Sequence, residues 1–160
     1  MKNVFIAAVL SLSFAAVAAE PELKPAQEEA KGKFDEAVAD PLKALNEKCG
    51  TKIATVKTDY ENYKEADWSG TAFYSWCPGA IEAITSMCEA RPAYKKAIGK
   101  KLTGISCLFA GVKPKDKKDG SNEYTLRNMS FEKGVFTFHI EKDQANLADN
   151  AKAIFEKALN

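Results

Sequence analysis

Three observations predict an α+β domain. Helical and strand-like stretches are segregated along the chain instead of alternating. The clearest strand, 135–141, sends Phe136, Phe138 and Ile140 to one side and Val135, Thr137, His139 and Glu141 to the other. That is the mark of a sheet with one face on helices and one in water. Near the C-terminus Leu147, Ala151, Ile154, Phe155, Ala158 and Leu159 form an apolar stripe at helical spacing, behind Asn146 as a cap. The expected architecture is N-terminal and central helices packed on a small antiparallel sheet and followed by a C-terminal helix. The sheet would be a three-stranded meander, with a fourth strand available from 51–58.

The chain begins with one cation, Lys2, followed by an uncharged run from Val4 to Val17. That run is too short for the ~20 apolar residues that span a bilayer, and it suits the apolar region of a cleavable signal peptide. Small residues follow at once. Val17-Ala18-Ala19 before Glu20 meets the requirement for small side chains one and three positions before the cut, and so does Ala16-Val17-Ala18 before Ala19. Residues 1–19 are therefore expected to be removed, with the product periplasmic or extracellular. No later segment has the length and apolarity of a membrane span.

Removing residues 1–19 from the 160-residue chain takes away Lys2 alone, so the 23 basic and 22 acidic side chains become balanced. No basic stripe stands out, and nucleic acid is excluded as a partner on that ground. The remainder suits one domain.

Residues 20–32 are polar and could act as a loose tether to a domain spanning 33–160. Phe34, Val38, Leu42 and Leu45 recur at helical spacing. Asp40-Pro41 is a good N-cap and first-turn pair, so a second short helix is expected from Pro41, ending at Cys49-Gly50. Thr51–Thr58 is rich in β-branched residues, and 59–76 is irregular and aromatic. A helix starts near Pro78, where Cys77, Ile81, Ile84 and Cys88 share one face. Arg91-Pro92 breaks it, and a further helix runs to about Lys101. Leu102–Val112 reads as a buried strand, and the charged stretch Lys113–Gly120 as a hairpin connection. Glu123–Phe131 and Val135–Glu141 read as strands joined through Glu132-Lys133-Gly134.

Cys49, Cys77, Cys88 and Cys107 all lie in the exported part. Four cysteines in a small exported domain predict two disulfides. No Cys-x-x-Cys pair suggests zinc or thiol exchange, and no metal or cofactor is expected. Cys77 and Cys88 are 11 positions apart on one helix. At about 1.5 Å per residue that is ~16 Å, beyond the ~7 Å a disulfide tolerates. If the helix after Arg91-Pro92 retraces its predecessor, Cys107 returns to the level of Cys88. The preferred pairing is then Cys49–Cys77 with Cys88–Cys107, and the alternative is Cys49–Cys88 with Cys77–Cys107.

Cys49-Gly50-Thr51-Lys52-Ile53, Cys77 and Cys88 across a helix, and Cys107-Leu108-Phe109-Ala110-Gly111 before a hairpin resemble a pattern in a loose group of uncharacterised exported bacterial proteins. The resemblance covers about residues 45–140. It implies export and disulfides and adds nothing on function.

No motif for nucleophilic, phosphate or metal chemistry is present, and no catalytic residue is assigned. His139, the only histidine, could serve as acid or base beside Glu141, but its strand position also suits a plain exposed side chain. Asp59, Glu61 and Asp67 lack the spacing of a calcium loop and read as solvated. Asn128-Met129-Ser130 fits a glycosylation sequon. Tyr60, Tyr63, Trp68, Tyr74 and Trp76 are the candidate binding residues, since rigid aromatic faces beside carboxylates can hold a protein, peptide or saccharide. The competing reading is a loop pinned down by its own rings. The functional expectation is a non-enzymatic binding or interaction module. The alternatives are a small exported hydrolase, or a protein inhibitor of an envelope or foreign hydrolase.

Overall fold

A computed structural model describes residues 22–68, 70–114, 125–142 and 144–159; the signal-peptide reading lies outside them. The fold is α+β, as the patterning indicates. Its elements are α1 (Pro25–Cys49), β1 (Val56–Lys57), α2 (Glu65–Trp68), α3 (Trp76–Ala90), α4 (Pro92–Lys101), β2 (Gly104–Leu108), β3 (Met129–Glu132), β4 (Val135–His139) and α5 (Leu147–Leu159). Short 3-10 turns at Tyr60–Asn62 and Phe73–Ser75 flank α2. Among the described residues no helix is long and apolar enough to cross a membrane.

α1 is one continuous helix, where the sequence suggested a break at Asp40-Pro41. Pro41 removes the N–H that would reach the Ala37 carbonyl, which costs about 3 kcal/mol in a helix interior. The apolar stripe runs straight through the proline: Ala30, Phe34, Val38, Leu42, Leu45 and Cys49 are all buried. Side chains of the Leu42 and Leu45 kind contribute about 1.5–3 kcal/mol each when buried, so continuity outweighs the lost bond. Residues 25–32 form the first turns of α1, where Gln27 donates from Nε2 to the Glu61 carbonyl at 3.1 Å. Gly50 ends the helix in the left-handed conformation (φ +73°).

The sheet order is β1-β2-β4-β3. β1 and β4 both run parallel to β2, and only β3 and β4 are antiparallel. The expected fourth strand is present, but the meander is not. The Lys133-Gly134 hairpin forms as its residues require, with positive φ at both (+50° and +84°). The reading of Lys113–Gly120 as a hairpin connection lies largely outside the described residues; β2 and β3 are not neighbours, and β4 lies between them. Adjacency of consecutive strands, the usual outcome, was the wrong premise there. Thr125–Arg127, read as strand, is a helical turn before β3.

Ile105, Phe136, Phe138 and Met129 are buried and in register across the inner face. α5 closes one end of that face through Phe155, whose ring stacks on Phe131 at 4.6 Å between centroids. α3 is the central helix; it leaves only Glu82, Ser86, Glu89 and Ala90 exposed and packs against α1, α4 and α5.

Both disulfides form, but the pairing is Cys49–Cys88 and Cys77–Cys107, with Cα separations of 5.3 and 6.2 Å. This corrects the preferred Cys49–Cys77 and Cys88–Cys107. The error lies in the path of α4, which does not retrace α3. Its last turn sits against the Cys49 end of α1, so close that a Cβ at Gly99 would clash with the Cys49 carbonyl oxygen. β2 therefore starts at the Cys88 end of α3 and runs back towards Cys77. Because the atom opposing Gly99 is backbone and cannot rotate away, Gly99→Ala should cost about 1–3 kcal/mol, the usual penalty for overpacking. Urea denaturation measures it, and unchanged stability would contradict this close approach.

Candidate functional site

The aromatic segment folds inwards. Phe109, just past the end of β2, is the hub. Its ring lies 5.3 Å from Tyr63, 5.6 Å from both Trp68 and Phe73, and 6.4 Å from Tyr60. Trp68 meets Trp76 edge-on at 5.6 Å. Tyr60, Trp68 and Phe73 are buried, Tyr63 and Trp76 are half-buried, and among the described residues Tyr74 is the one large apolar side chain left exposed, at 37%. Asp59 ties the segment to the sheet. Its two carboxylate oxygens accept the Phe109 and Ala110 N–H groups at 2.6 and 3.0 Å, and Asn62 donates to it as well. Asp59 is thus a clamp on the end of β2 and not the solvated side chain its surroundings in the sequence suggested. Of the five candidate aromatics, Tyr60 lines a groove against α1 and Tyr63 a small pocket of about 60 Å³.

His139 sits at the end of β4 on the outer face. Its Nδ1 is 2.6 Å from the Ala110 carbonyl. A carbonyl can only accept, so that nitrogen carries the proton. Among the described residues no carboxylate stands within ion-pair distance of the ring. Gly111 is needed beneath the ring, because a Cβ there would lie 2.8 Å from Cε1. The geometry is that of a side chain fastening one loop. Asn128 of the sequon is only 1% exposed and accepts the Lys113 N–H, which leaves no room for a glycan. Among the described residues no cluster of three or more His, Cys, Asp or Glu could hold a metal ion.

A groove of about 900 Å³ lies between α1 and the stretch 54–61. Its α1 wall is one stripe, Lys31, Asp35, Val38, Ala39 and Leu42, at the spacing of a single helix face. Its other wall is the stretch 54–58 with Tyr60 and Glu61. The Tyr60 hydroxyl donates to Asp35 at 3.2 Å, and the Lys31 ammonium lies over the Tyr60 ring while pairing with Asp35. Burial, with the Asp35 charge adding to it, holds the Tyr60 hydroxyl far above the usual phenol range, so it remains a donor. Sequence reading missed this groove. The available signal was the β-branched run before Tyr60, facing the outer flank of a helix stripe that includes the small residue Ala39.

No protein-family model matches this chain, and no curated protein or solved structure shows significant similarity to it.

Proposed function

We propose that the protein is an exported, non-enzymatic binding module whose ligand lies in the groove between α1 and residues 54–61. The observation that carries this reading is the groove itself. It falls within the ~300–1,000 Å³ of typical ligand sites, has an apolar floor of Val38, Leu42 and Val56, and has a polar rim. The aromatic segment serves as the scaffold behind it, since its rings are spent on one another and on Phe109. Two internal disulfides and an N-terminus of signal-peptide pattern support residence in an oxidising compartment.

The test is a thermal-shift screen of peptides and oligosaccharides against three proteins: wild type, Ala39→Trp and Tyr74→Ala. Ala39 is exposed on α1 and faces the groove, so a tryptophan there fills the site without entering the core. Ligands that stabilise wild type should lose their effect on Ala39→Trp and keep it on Tyr74→Ala. The reverse pattern would place binding on the exposed aromatic edge and overturn the proposal.

A further inference from the structure

Building on that reading of the groove, we infer that its occupant is an extended basic polypeptide that adds to β1 as a fifth strand. β1 is an edge of the sheet. Val56 and Lys57 pair with β2 on one side, and among the described residues no other backbone group bonds to the stretch 54–58. In a β-strand, alternate residues aim both N–H and C=O to the same side. The unpaired set here faces the open edge of the sheet, beside the groove that this same stretch lines. An added strand would satisfy those groups, which is the physics of β-augmentation. The dimensions agree. From Glu28 to Leu42 the helical wall is about 21 Å long at ~1.5 Å per residue. Six or seven extended residues at ~3.3 Å each fill that length.

Charge selects the kind of peptide. Lys31 and Asp35 neutralise each other on the α1 wall. What remains on the rim is Glu22, Glu28 and Glu61 against Lys57. A peptide alternating apolar and basic residues would turn its apolar side to Val38 and Val56 and its cations to these carboxylates. A second copy of this chain is disfavoured, because edge-to-edge pairing would bring the same acidic rim against itself.

The probe is the blocked heptapeptide Val-Lys-Val-Lys-Val-Lys-Val, titrated calorimetrically into the exported protein with its disulfides intact. Its glutamate counterpart, in which every lysine is replaced, should bind at least tenfold more weakly. N-methylation of all valines or of all lysines blocks one edge of the peptide at a time. One of the two sets should weaken binding at least tenfold and the other less than threefold. Equal binding of the basic and acidic peptides, or equal binding of both methylated forms and the parent, overturns strand addition. So does failure of the basic peptide to bind. In each of those cases the groove reading survives if other ligands are still lost in Ala39→Trp. Basic-peptide binding that persists undiminished in Ala39→Trp overturns both.

Discussion

Reduction of the two disulfides should lower the melting temperature by roughly 15–30 °C. The bridges close sequence separations of 39 and 30 residues, and loop-closure entropy gives about 4 kcal/mol for each. Because the two loops interleave, the effects will sum to less than double. Against a typical stability of ~5–15 kcal/mol the loss is still severe. For a domain of this size each kcal/mol moves the midpoint by about 3–4 °C. The bridges have different jobs. Cys49–Cys88 joins α1 to α3 within the helical layer, and Cys77–Cys107 joins α3 to β2, helix to sheet. Scanning calorimetry with and without a phosphine reductant, and on the paired variants Cys49→Ala/Cys88→Ala and Cys77→Ala/Cys107→Ala, checks this. A shift below about 3 °C on full reduction would contradict the account.

Phe109→Ala should destabilise the domain by about 3–5 kcal/mol, as expected for emptying a buried aromatic site. The cavity would open beneath Tyr60, Tyr63, Trp68 and Phe73 together, so the loss should extend to the order of the whole 59–76 segment. Trp68→Ala should cost a similar amount, since its ring contacts Phe73, Trp76 and Phe109. Tyr74→Ala, at an exposed position, should stay within about 0.5 kcal/mol. Equilibrium urea unfolding followed by tryptophan fluorescence and by circular dichroism distinguishes these cases. A Trp68→Ala protein of native stability would return the aromatic segment to consideration as a binding surface.

Patterns held in the sequence wherever one periodicity dictated one environment. β4 shows this in its alternation, α5 in its stripe, α3 in its cysteine-bearing face, and the Lys133-Gly134 turn in its need for positive φ. Readings failed where tertiary context decided. Pro41 carries a local signal for a helix start, yet the stripe on either side of it is worth more when buried as one. The two disulfide pairings differ only in whether α4 retraces α3, and that turns on the contact between Gly99 and the Cys49 carbonyl, two residues 50 positions apart. β4 inserts between β2 and β3, although a neighbour-by-neighbour reading pairs strands in chain order. The burial of the aromatic segment was hidden for a related reason. Clustered aromatics mark burial as readily as recognition, and Phe109, which decides between the two, stands outside the cluster in sequence. The groove depends on the distance between a helix flank and a strand edge, a quantity with no periodicity to announce it.

The central claim is that ligand enters between α1 and β1 while the aromatic segment stays closed. Amide and indole chemical-shift mapping tests it most directly, with the isotope-labelled protein titrated with the basic heptapeptide. The account predicts shifts concentrated in residues 35–42 and 54–61, with the Trp68 and Trp76 indole signals unmoved. Shifts centred on those two indoles and Tyr74, with 35–42 silent, would contradict it.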